Sequence, residues 1–335
     1  MEKELIKYLE NNLIIFDNAI NEEEIDAVHY DKHHIFYSVL IYLASKYGNE
    51  NLIDYIYFYN QYEKLLNQSR ENNLNIGIYY INKIKNLHKN YEYKSDLVKN
   101  GLDSLYHPAI AYYYYFVTKE YNLAEYYILE SLKNIDFLIS NGFKDGIFMK
   151  IEQWLNTFRV YYNMGNEDKA MFYSTEVLSY ILGEDNSLFQ IPFREVQQYE
   201  SQLTQILDLF FNGVIFKVLS TSSGKAFFNN IFLLQILENL KNRDYNKNLS
   251  IHNSINIMYL ILTNNKSAVS EILNTNIFTQ EIPKSIRYFI LKFLIKELNF
   301  DLLEEKIKDQ IIQYEKNELL LKKEYITENS CCKAS

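Results

Sequence analysis

Apolar residues recur along almost the whole chain at intervals of three and four, the spacing that places them on one face of an α-helix. Phe193, Val196, Leu203, Ile206 and Phe210 share such a face. No useful length of chain alternates apolar and polar residues as a half-buried strand does. The pattern predicts helices over 2–16, 24–47, 50–69, 72–90, 94–106, 108–119, 121–141, 144–164, 166–182, 192–219, 224–242, 248–263, 265–274, 281–298 and 300–325. Only nine glycines and three prolines punctuate 335 residues. That scarcity of turn formers agrees with long helices joined by short links.

Several predicted helices begin alike. Tyr121-Asn122-Leu123-Ala124 opens one, with Ser131 and Leu132 seven and eight residues after Ala124. Gly165-Asn166-Glu167-Asp168-Lys169-Ala170 opens another, with Val177 and Leu178 at the same offsets. Gly224-Lys225-Ala226 is followed in the same way by Leu233 and Leu234. Asn264 to Ala268 is a fourth opening, and Asn73 to Gly77 a degenerate first. A small residue early in the second helix of a pair lets the first helix approach, and the later apolar pair seals the contact. A Gly or Asn just before it supplies the reversal. Each pair then leaves apolar surface that only a neighbouring pair covers, so such units stack.

The run Val160-Tyr161-Tyr162-Asn163-Met164-Gly165-Asn166-Glu167-Asp168-Lys169-Ala170 resembles the core of a tetratricopeptide (TPR) repeat, and Tyr121 to Leu132 resembles its second-helix half. The resemblance covers about residues 108–182 and implies an all-α, TPR-like right-handed α-solenoid of stacked helix hairpins. The longer pairs are similar to those of bacterial TPR-type peptide-pheromone receptors, which bind peptides in a concave groove lined by the first helix of each pair. Residues 1–70 carry no helix-turn-helix pattern and are expected to form an N-terminal helical bundle. Residues 71–325 are expected to form the repeats, and 326–335 a flexible tail.

Composition narrows the function. Hydrophobic residues make up 48% and charged residues 23%, the balance of a globular protein. Tyr, Asn, Ile, Lys and Phe are abundant, which AT-rich coding also produces, so the 31 tyrosines are not read as a binding code. The net charge is −9 and the basic residues are scattered, which argues against nucleic acid as a partner. Neither an export signal nor a long uninterrupted apolar span is visible, so a cytoplasmic protein without a membrane partner is expected.

Candidate chemistry is sparse. His29 and His33 stand four apart beside His34, with Glu22 and Asp26 a turn or two earlier; an exposed polar helix face accounts for them better than a metal site. Ser220 to Ala226 ends in Gly-Lys-Ala and lacks both the first glycine and the hydroxyl of a phosphate loop. No catalytic residue, metal or cofactor is expected, although acids converging from distant helices would leave an enzyme open.

The strongest binding signal is a row of polar side chains. Arg194, Gln198, Gln202 and Gln205 form one stripe opposite the apolar face of their helix. Gln153, Asn156 and Arg159 on the preceding first helix, and Asn253 and Asn256 on the following one, extend it. Amides there would hydrogen-bond the backbone of an extended peptide or protein segment, Arg would clamp a carboxylate, and rings such as Trp154 would flank it. The tail holds both cysteines, Cys331 and Cys332, among Thr327, Ser330 and Ser335. Chance, lipidation at a Cys332-Lys333-Ala334-Ser335 box, and modification by a docked enzyme all remain open there. A binding protein is therefore expected first, a tail-carrying precursor second and a metal enzyme third, and any of these allows a homodimer.

Overall fold

The computed structural model describes residues 2–14, 32–48, 51–196, 200–222, 224–243, 249–279, 281–298, 303, 305 and 307–313. Among the described residues the regular elements are helical and none is a strand. They are α1 (Glu2–Leu9), α2 (Lys32–Tyr47), α3 (Leu52–Arg70), α4 (Leu74–Asn90), α5 (Asp96–Tyr113), α6 (Tyr121–Ser140), α7 (Gly146–Asn163) and α8 (Glu167–Ile181). The series continues with α9 (Phe193–Val196), α10 (Glu200–Ser220), α11 (Ile231–Lys241), α12 (Leu249–Leu262), α13 (Ser267–Asn274) and α14 (Lys284–Glu297). Wider π turns follow α1 (Glu10–Ile14) and α5 (Tyr114–Thr118), and a 3-10 turn (Gly224–Asn229) precedes α11. No helix among the described residues is long and apolar enough to cross a membrane.

The chain divides into two compact units, Tyr30–Tyr173 and Met1–His29 with Ser174–Ser335. This differs from a division at residue 70. In the first unit α2 and α3 share a core with the later helices: α3 packs on α4 and α5, α5 on α6, and α6 on α7. α2 lies against α3, α5 and α7, the first helices of successive hairpins. It buries Val39, Leu40, Leu43 and Ala44. Leu43 presses so closely on α5 that a Cβ at Gly101 would stand 2.8 Å from it.

One expected break is missing. The pattern puts separate helices on either side of His107, yet α5 runs unbroken through Pro108. Proline has no N–H, so the carbonyl four residues earlier, that of Ser104, loses its helical donor. The Ser131 hydroxyl, from α6, donates to that carbonyl at 3.3 Å, and both serines are fully buried. A neighbouring helix thus supplies what the proline removes.

The repeated openings fare unequally. Ala124, Ala170 and Ala268 are buried and so are Leu132, Val177 and Leu178. Gly165 ends α7 at φ +71, where L side chains are strained, and lets the chain reverse into α8. Ala226 is exposed within the 3-10 turn, and α11 starts instead at Ile231, capped by the Asn230 side chain accepting from Leu233 N–H at 2.8 Å. Gly77 does sit at a close approach, but its neighbour is the ring of Tyr113 on α5, and not the preceding helix α3. Tyr113 also donates its hydroxyl to the Leu74 carbonyl at 3.0 Å, so ring and glycine lock α4 to α5.

In the second unit α10 packs on α11 and α14, α11 on α12, and α12 on α13 and α14, while α1 joins them at α13. The Tyr8 hydroxyl donates to the Thr275 carbonyl at 2.7 Å and accepts from the Ile277 N–H at 3.1 Å. In a linear stack each pair touches only its neighbours. Tyr8 instead reaches across 267 residues.

Candidate functional site

A shallow cleft opens between the C-terminal halves of α5 and α7, with a cavity volume of about 30 Å³. Tyr112, Tyr115 and Phe116 line one side, at the i, i+3, i+4 spacing that places side chains on one helix face. The rings of Tyr112 and Phe116 lie 4.1 Å apart between centroids, and Tyr115 meets Phe116 edge-on at 4.5 Å. Pro108, Ala111, Ile128 and Val160 form the floor, and Asn156 and Arg159 the opposite wall. Beneath the floor Ala111, Ala124, Ile128, Leu132 and Val160 form one apolar cluster, against which Tyr115 and Trp154 pack. The repeat residues Ala124 and Leu132 therefore support this cleft directly.

The polar wall is organised along α7. Arg159 donates through a terminal nitrogen to Asn156 Oδ1 at 3.1 Å, and Asn156 Nδ2 donates to Gln153 Oε1 at 3.4 Å. Gln153 is buried, with its Nε2 lacking a partner among the described residues. The three side chains, at i, i+3 and i+6, form a relay that aims the guanidinium. On its other flank α7 is braced by rings: Trp154 stacks on Tyr173 at 5.1 Å, and Tyr173 on Tyr161 at 5.5 Å. The Tyr161 hydroxyl donates to Glu125 and accepts from Lys169 Nζ at 3.0 Å, and burial holds it well above an ordinary phenol in pKa.

Chemically, the cleft offers aromatic surface and directed donors. Among the described residues lining it Arg159 alone is charged, and none is an acid, a histidine or a cysteine. An apolar group would pack against the exposed ring surface, while acceptor oxygens would meet Asn156 and Arg159. Its enclosed space of about 30 Å³ holds little more than a water molecule, far below the roughly 300–1,000 Å³ typical of ligand sites, so the cleft is a shallow indentation beside the rings.

Of the residues expected from sequence, Gln153, Asn156 and Arg159 meet here. Arg194 is exposed on the four-residue α9 in the other unit. Gln198 lies outside the described residues. Gln202 and Gln205 belong to α10, whose helix begins at Glu200, but their side chains are not among those described. Asn253 and Asn256 are half-buried on α12 of the other unit. Cys331, Cys332 and His29 lie outside the described residues, as do the side chains of His33 and His34. Among the described residues no group of three or more His, Cys, Asp or Glu side chains is placed to hold a metal ion. Tyr112, Tyr115 and Phe116 do not stand out in the sequence, because tyrosine is abundant along the whole chain. The signal was the unbroken run Tyr112-Tyr113-Tyr114-Tyr115-Phe116, five rings in succession just before a turn.

No family model matches the sequence, and no curated protein or solved structure matches it significantly.

Proposed function

We propose that this chain is a binding protein working by recognition and not by catalysis, a TPR-like right-handed solenoid whose concave groove holds a peptide or a segment of a partner protein in the cytoplasm. The observation that carries this reading is the cleft between α5 and α7. There Asn156 and Arg159, held in a relay with buried Gln153, lie across a shallow cleft from Tyr112, Tyr115 and Phe116. Aromatic and Arg anchors of this kind supply most of the affinity of peptide sites. α3, α5 and α7, the first helices of three successive hairpins, share one neighbour in α2, which agrees with their lying on a common side.

The test is a selection of phage-displayed random peptides on the full chain, repeated with Arg159→Ala and Tyr112→Ala. A consensus with an apolar anchor next to an acceptor-rich position should emerge, and each variant should bind it at least about tenfold more weakly, the ~1.4 kcal/mol of one lost anchor contact. Failure to enrich any consensus, or equal binding by both variants, would remove the cleft as the site.

A further inference from the structure

The outward face of α4 lies apart from the cleft and carries an unusual mixture of side chains. α4 packs on α3 and α5 and buries Gly77, Ile81 and Ile84. Around the rest of its first half Leu74, Ile76 and Ile78 are 47, 42 and 45% exposed, and Tyr79 is 59% exposed. In its second half the exposed side chains are Asn82, Lys85, Asn86, Lys89 and Asn90. At about 100° per residue Leu74, Ile78, Lys85 and Lys89 fall within about 60° of one another. They form one row, apolar where it starts and basic where it ends.

The charge along that row has no complement inside the chain. α4 contains no Asp or Glu, although the chain as a whole has a net charge of −9. Glu71 and Glu92 lie beyond its two ends, and Glu71 accepts from the Gln68 amide at 3.1 Å. Asp54 of α3 bonds Tyr91, and Lys83 lies over the Tyr57 ring of α3 at 6.0 Å. α6, the second helix of the next hairpin, is built the other way. It sets Glu125, Glu130 and Asp136 against Lys133, and Lys133 pairs with Glu130 at 2.5 Å. Exposed aliphatic side chains grouped beside unpaired charge mark a surface made for a partner.

We infer that this face docks a helix of a partner protein, lying antiparallel to α4, acidic in its first half and apolar in its second.

Each property of that partner follows from the row. Helices meet through side chains three, four and seven apart, and the row advances by four, seven and four. In antiparallel packing the first half of the partner lies beside Lys85 and Lys89, and its second half beside Leu74 and Ile78. Acids in the first turns of a helix also gain from its own dipole, so this orientation suits the partner itself. Two other occupants fit less well. A second copy would set lysine against lysine when parallel, and lysine against aliphatic side chains when antiparallel. A bilayer would have to take in Asn75, Asn82 and Asn86, which occupy the middle of the exposed arc and would lose their hydrogen bonds to water.

The test uses the full chain and a displayed library of helical peptides as long as α4, varied over Glu, Lys, Leu and Asn. Enriched clones should carry Glu in the first half and Leu in the second. Their affinity should fall as salt rises, and they should bind Lys85→Glu/Lys89→Glu at least about tenfold more weakly. Leu74→Asn/Ile78→Asn should weaken the same clones without changing their salt dependence. Both lysines are exposed, so circular dichroism of the charge-reversed chain should match the native one. If it does not, Lys85→Gln/Lys89→Gln decides, with a smaller loss in the same direction. No enrichment, enrichment without the Glu-to-Leu order, or equal binding by the lysine variants would overturn the inference. Phosphatidylserine vesicles that bind the native chain and not the charge-reversed one would overturn it in favour of a lipid surface. A dimer in sedimentation that Leu74→Asn/Ile78→Asn dissolves would overturn it in favour of a second copy.

Discussion

Pro108 shows how a single residue can be tolerated only because of another that is distant in sequence. It removes the donor from the Ser104 carbonyl, and Ser131 on α6 returns one at 3.3 Å. Removing that hydroxyl in Ser131→Ala should cost about 1–3 kcal/mol, because a buried acceptor is left without a partner. In a Pro108→Ala background the new N–H can serve Ser104, so the same substitution should cost much less. Chemical denaturation of the four proteins measures the difference, and equal costs in both backgrounds would mean that the serine acts by packing alone. The relay on α7 behaves similarly. Asn156 and Gln153 contribute by aiming Arg159, a role that spacing alone hints at and hydrogen bonds define.

At the scale of elements, α5 is the organising helix. One face takes Leu43 of α2 at Gly101, another holds Asp103, Tyr106 and His107 against His88 and Asn134, and its end carries the cleft rings. Its contact with α4 depends on Gly77, where any Cβ would overlap the Tyr113 ring. Gly77→Ala adds helix propensity, worth roughly 1 kcal/mol in a helix interior. The overlap should outweigh that gain and leave a net loss of about 1–2 kcal/mol. Thermal unfolding distinguishes the outcomes: a raised midpoint would show that Tyr113 moves aside at little cost. The repeated small-residue openings predict where helices meet. They do not say which helix arrives, as Gly77 and the exposed Ala226 both demonstrate.

At the scale of the molecule, each of the two units has its own core. The second unit is closed by its N-terminal helix, because Tyr8 serves both the Thr275 carbonyl and the Ile277 N–H. Tyr8→Phe keeps the ring and strands both backbone groups, which should destabilise this unit by about 2–3 kcal/mol. Hydrogen exchange of residues 272–279 should rise while that of α5 and α6 does not. Equal acceleration in both places would mean that the two units unfold as one.

The sequence by itself determined the helical class, most helix positions, the small residues at Ala124, Ala170 and Ala268, and the polar row Gln153, Asn156 and Arg159. Each is a local property: a periodicity of three and four fixes which side chains share a face, and that face must be buried or wetted wherever the helix lies. Tertiary structure decided everything that joins one face to another. It set Ser131 on Ser104, placed His88 among Tyr62, Tyr93 and Asp103, brought Tyr8 to Thr275, and set Tyr112, Tyr115 and Phe116, three of five consecutive rings, along one side of a cleft. Those pairings depend on packing between elements far apart in the chain, where periodicity carries no information about the partner.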